Sequence, residues 1–166
     1  MGKRLHSMSK RNEHLVVIVV EPAPKGEFTA WLLHITIVPW FPAFDLEKLD
    51  KVLAKVAAKH EAFDAKVGHV EEWGGKDTFK VNDVESPGNL HRLHWDVFHS
   101  LEKNGFPVHQ KEHLGSKYRP HFIHKRHHII PVGETIPIIS FVLVRQVRLK
   151  KTGTMIKEIA KEYFLQ

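Results

Sequence analysis

Two short segments carry groups that can move a proton beside a phosphate: Leu33-His34-Ile35-Thr36-Ile37 and Tyr118-Arg119-Pro120-His121-Phe122-Ile123. An imidazole ordinarily titrates near pH 6.5, so it can take or give a proton close to neutrality. Side chains alternate between the faces of a strand, which sets His34 and Thr36 on one side, and a hydroxyl there can donate to a phosphate oxygen. Alone, His-x-Thr is too short to mean much, and a strand histidine satisfied by a neighbour is its commoner source. The second segment shifts the balance. Displacing a ribose hydroxyl onto or off phosphorus needs a base on one side and an acid on the other, and two histidines on facing strands supply both without a metal or a nucleophilic side chain.

Other groups compete for attention. His121, His124, His127 and His128 suggest a metal cluster, but strand alternation separates His121 from His124 and no carboxylate lies within the run, so no metal site is expected. His91, His94 and His99 fall on a helix whose other side is apolar, and they are expected on its solvated face. Trp40, Phe41 and Phe44 read as packing residues in preference to base-stacking ones. For Tyr118, just before the second histidine, packing and stacking are equally open. Lys117, Arg119 and Lys125 are cations that could clamp a phosphate.

The elements that must position these groups come from ordinary globular material. The chain has 166 residues, 42% hydrophobic and 27% charged, enough to bury a real core. It has no cysteine, which excludes disulfides, thiolate nucleophiles and sulfur-ligated metals. Net charge is +6 before the 14 histidines are counted, favouring polyanionic partners. The apolar run at 15–20 is too short for a membrane span or a signal core, so a cytoplasmic protein without membrane association is expected. One domain over 1–166 is expected, with 1–13 a flexible basic arm.

Residues 15–20 read as a buried strand, and 28–38 as a second one stopped by Pro39 and Pro42. Asp45 caps a helix with Leu46, Leu49, Val52, Leu53, Val56 and Ala57 at helical spacing. Extended segments at 65–73 and 78–84 flank Gly74-Gly75, and Ser86-Pro87 opens a helix that ends at Asn104-Gly105. Strands are expected at 118–125 and, as one long piece, at 136–149. Residues 154–165 have mixed periodicity. The element order looks like a doubled unit, although the halves share no residue-by-residue repeat.

With these motifs in this order, nearly the whole chain resembles the two-histidine (2H) phosphoesterase superfamily, which includes RNA 2',3'-cyclic phosphodiesterases and 2'-5' RNA ligase-like proteins. His34-Ile35-Thr36-Ile37 matches the first His-x-Thr motif, and Arg119-Pro120-His121-Phe122 aligns with the second, Pro-His-x-Thr. Leu90-His91-Arg92-Leu93, Phe141-Val142-Leu143-Val144 and the ending Phe164-Leu165 support the match. The resemblance implies a bilobal, duplicated α+β fold: two antiparallel sheets, helices packed outside, and a central cleft lined by the histidines. It also favours a strand at 154–165. It further implies catalytic His34 and His121, substrate contacts at Thr36, Tyr118, Arg119 and position 123, no cofactor, and a monomer acting on RNA ends or nucleotide phosphodiesters. Ile123 departs from the motif, which has Thr or Ser there, so one hydroxyl donor is missing.

Overall fold

The computed structural model describes residues 13–125, 129–149 and 151–166. Among them the chain runs β1 (Glu13–Val19), β2 (Glu27–Phe28), β3 (His34–Pro42), α1 (Leu46–Ala57), β4 (Phe63–Trp73) and β5 (Phe79–Glu85). It continues with α2 (Asn89–Lys103), a single 3-10 turn (Gly115–Lys117), β6 (His121–Ile123), β7 (Thr135–Ile138), β8 (Ser140–Arg148) and β9 (Met155–Phe164). The basic arm expected at 1–13 lies outside the described residues, except for Glu13, which opens β1. No helix among the described residues is long and apolar enough to cross a membrane.

The strands form two sheets, a five-stranded one in the order β2-β9-β8-β1-β3 and a four-stranded one in the order β6-β5-β4-β7. Every strand pairing is antiparallel. One face of each sheet meets α1 and α2 in a shared core that includes Ile35, Ile37, Phe41, Leu49, Leu53, Leu90, Leu93, Phe122 and Phe141. The other face of the five-stranded sheet carries a smaller cluster of Leu15, Val17, Phe28, Leu32, Val142 and Val144. The expected α+β fold is therefore the one found.

Local chemistry explains most boundaries. Asp45 caps α1 by accepting from the Lys48 N–H at 3.0 Å. At α2 the capping position itself is Gly88, and the expected cap, Ser86, reaches in from two residues outside to accept from Leu90 N–H at 3.0 Å. Gly74 turns β4 into β5 at φ +101°, where a Cβ would lie 2.4 Å from the Asp77 carbonyl oxygen.

Three strand expectations need correction. The segment 28–38 is two strands in different places, and prolines do not stop the second, since β3 runs through Pro39 to Pro42. Pro39 is tolerated because β3 is an edge strand and a register shift there sets Leu15 opposite two residues. The apolar run 136–149 breaks at Ile139, sending β7 to the four-stranded sheet and β8 to the five-stranded one. Finally, 118–125 is regular strand only from His121, since Tyr118 ends the 3-10 turn and Pro120 brings no N–H to a ladder.

Candidate active site

His34 is the first residue of β3 and His121 the first of β6, and each strand is the edge of its own sheet. The two edges meet in space, and the Tyr118 hydroxyl ties them by donating to the Thr36 carbonyl at 2.8 Å. Ile35 and Phe122 each enter the shared core, so alternation turns His34 with Thr36, and His121 with Ile123, to the sides facing away from the helices. Ile123 is 46% exposed, not folded into a lobe core.

Each imidazole is held in the same way. His34 Nδ1 lies 2.7 Å from the Leu32 carbonyl oxygen, and His121 Nδ1 lies 2.8 Å from that of Arg119. A carbonyl can only accept, so Nδ1 carries the hydrogen in both rings and Nε2 is left to take or deliver a proton. Behind each ring stands a tryptophan, with Trp31 at 4.7 Å from His34 and Trp73 at 4.3 Å from His121. Each tryptophan bears a cation in turn: Lys157 Nζ lies 5.0 Å from the Trp31 ring, and Arg119 Cζ 4.8 Å from the Trp73 ring.

Burial pushes both imidazoles below the ordinary histidine value, since removing water disfavours the charged form. For His34 the Leu32 carbonyl opposes this, while positive charge on Lys125 and on His121 adds to it. For His121 the Arg119 carbonyl and Asp83 oppose it, and the Arg119 charge adds to it. Positive charge on His121 thus disfavours positive charge on His34.

An ion network flanks His121, whereas among the described residues the ion pair beside His34 is the single contact of Lys125 with Glu21 at 3.9 Å. Arg119 donates to Glu71 at 2.8 Å and to Asp83 at 3.3 Å, while His69 lies 2.8 Å from Glu71 and 3.2 Å from Asp83. The Trp73 indole donates at 2.8 Å to Glu71 Oε2, the oxygen that also accepts from Arg119. These donors, Trp73 and His69 foremost, hold the Glu71 carboxyl down at about 2, and Glu71 in turn raises His69. Ligand atoms of His69, Glu71 and Asp83 lie within 4.8 Å of one another, a spacing a cation could bridge. Arg119 already sets a guanidinium against both carboxylates, so the arrangement is satisfied as an ion network.

The remaining sequence candidates take definite places. Tyr118 is 7% exposed and stacks on His94 at 4.0 Å, so its ring is packed and not presented for stacking. His94 corrects the expectation of a solvated face. It is buried, its Nδ1 donates to the Ile37 carbonyl at 2.7 Å, and its Nε2 accepts from Gly115 N–H at 2.9 Å. His124 points to the opposite side of β6 from His121, onto the buried Asn82, while His127 and His128 lie outside the described residues. Phe41 is core, Trp40 packs on Trp31 at 6.0 Å, and Phe44 is exposed. Sequence reasoning missed Trp31, in the segment that leads into β3, and His69, Glu71, Trp73, Asp83 and Lys157, which reach the site only through strand pairing.

The sequence matches the model of the 2'-5' RNA ligase superfamily over residues 19–122, a span that holds both histidines. No curated protein matches it. The fold is similar to that of TT0787 of Thermus thermophilus, with a TM-score of 0.62 and 14% identity over 92% of this chain and 97% of that one. It is also similar to E. coli LigT complexed with 3'-AMP, with a TM-score of 0.61 and 15% identity over 93% and 98% of the two chains. A third similar structure, described as a phosphoesterase, gives 0.61 and 14% over 94% and 99%. At these identities the likeness is one of fold.

Proposed function

The chain belongs to the 2'-5' RNA ligase superfamily, and we propose that it is a phosphodiesterase acting on a 2',3'-cyclic or 2'-linked phosphodiester of an RNA end or a small nucleotide. The observation that carries this reading is the matched pair of imidazoles. Both open edge strands that meet, both donate Nδ1–H to the carbonyl two residues back, and both keep Nε2 for proton transfer. One Nε2, neutral, takes a proton from water or a hydroxyl as the new bond to phosphorus forms; the other, protonated, delivers its proton to the departing ribose oxygen. The imidazoles supply both acid and base, so the step requires no metal. The Thr36 hydroxyl stabilises a nonbridging oxygen as charge builds on it.

Support comes from the net charge of +6, suited to a polyanion, and from similar folds that bind nucleotides, E. coli LigT having been solved with 3'-AMP, with NADP+ and with ATP. Ile123 favours a second reading, in which the cleft binds RNA ends or nucleotides without turning them over. The discriminating experiment is a turnover screen over 2',3'-cyclic nucleotides and 2'-5' and 3'-5' oligonucleotides, with the product linkage identified. Metal-independent opening of a cyclic or 2'-linked ester is expected. Tight binding without turnover across the whole set would establish the second reading.

A further inference from the structure

Deepening the phosphodiesterase reading, and resting on it for the reaction but not for the ligand, we propose that Lys125 is the phosphate-binding cation of this site, serving the oxygen that a hydroxyl at position 123 would otherwise hold. His124 N–H donates to the Lys80 carbonyl at 2.9 Å, which continues the β6–β5 ladder one residue beyond Ile123. His124 faces Asn82 beneath the sheet, so alternation returns Lys125 to the side of His121 and Ile123. From there its side chain spans toward the other lobe, and Nζ lies 3.9 Å from Glu21 Oε1, just past the end of β1.

That position is on the His34 side of the site, because Val20, the residue before Glu21, donates its N–H to the Leu33 carbonyl at 2.9 Å, next to His34. In keeping with this, charge on Lys125 disfavours and charge on Glu21 favours protonation of His34. At 3.9 Å the contact with Glu21 is a charge pairing too long for a hydrogen bond, so the ammonium donors are not consumed by it. Among the described residues, Arg119 is bonded to Glu71 and Asp83, and Lys157 donates to the Thr29 carbonyl. Lys125 therefore has donors available in place of the one hydroxyl that Ile123 lacks, and it adds a positive charge. An ammonium is a compact point charge, and it attracts a dianionic phosphomonoester more strongly than a neutral hydroxyl does. Product inhibition is the expected side effect.

The test compares the wild type with Lys125→Gln, Lys125→Arg, Ile123→Thr and the Lys125→Gln/Ile123→Thr double variant. Inorganic phosphate binding is read from the imidazole NMR shifts of His34 and His121, and kcat and KM are measured on a 2',3'-cyclic nucleotide. Lys125→Gln should weaken phosphate binding and lower kcat/KM by about 10-fold to 100-fold, the size of one hydrogen bond to a charged oxygen. Lys125→Arg should keep most of both, and adding Ile123→Thr to Lys125→Gln should recover part of the loss. A merely structural lysine would show no such rescue. Lys125→Gln within twofold of wild type in phosphate binding, or a wild type that does not bind phosphate between the histidines, would overturn the proposal. A wild type that binds phosphate through Lys125 but turns over no diester would instead overturn the enzymatic reading alone.

Discussion

His34 and His121 meet their surroundings in the same manner: each opens an edge strand, each gives Nδ1–H to the carbonyl two residues before it, and each rests on a tryptophan that bears a cation. Two residues further on the halves part. Thr36 offers a hydroxyl and Ile123 offers none, while the Ile123 half holds the ion network of His69, Glu71, Asp83 and Arg119. The shared part is what proton transfer demands, and the unshared part is what phosphate binding can solve in more than one way. In the second half the charged network holds Arg119 over Trp73 through Glu71 and Asp83.

The comparison can be broken most sharply at its shared part. His34→Ala and His121→Ala should each lower turnover by roughly 10²–10⁴-fold, with the double variant little worse than either, because acid and base act as a unit. Losses that multiply in the double variant would show that the two halves do not share one step. At the unshared part, Thr36→Val should cost about 10-fold to 100-fold in kcat/KM, whereas Ile123→Thr alone should change turnover on cyclic phosphates little while Lys125 is present. A large gain at position 123 would mean that Lys125 does not replace the missing hydroxyl.

A smaller effect concerns His94, which supports both halves through Ile37, Gly115 and Tyr118. In that pocket Nε2 accepts a hydrogen bond, so only the neutral ring fits, and burial lowers its proton affinity below the ordinary 6.5. The unfolded chain then binds more protons than the folded one, so this contribution to stability is complete above about pH 6.5 and is lost as pH falls below it. The lowered values of His34 and His121 act in the same direction. Thermal unfolding followed from about pH 8 down to about pH 5 should show the midpoint falling, with a shallower fall in His94→Leu and a lower midpoint at neutral pH from the two partners left unsatisfied, a cost of about 1–3 kcal/mol each.

The two site histidines are legible in the sequence because each sits in a motif whose meaning needs only strand alternation. The place of His94 is legible too, against the expectation of a solvated face: it lies four residues after Leu90 and three before Val97, both buried, which is a core-facing position on α2. The division of 136–149 between two sheets is hidden, since the nearly continuous apolar sequence from Ile136 to Val144 carries no mark of where it changes partners. His69, Glu71, Asp83 and Arg119 come from β4, β5 and the segment before β6, and nothing local to any of them announces the others. Lys125 needs one further fact, that the ladder continues past Ile123.

The pairing of the two imidazoles is tested most directly by the pH dependence of kcat/KM on a 2',3'-cyclic nucleotide, which reports the groups of the free enzyme. The reactive form holds one proton between two rings, both pushed below the ordinary 6.5 by burial, with charge on His121 further disfavouring charge on His34. The profile should therefore be a bell with its maximum on the acidic side of 6.5, and one limb should vanish in each single histidine variant. A flat profile, a single limb in the wild type, or a bell that survives intact in His34→Ala or His121→Ala would contradict the account.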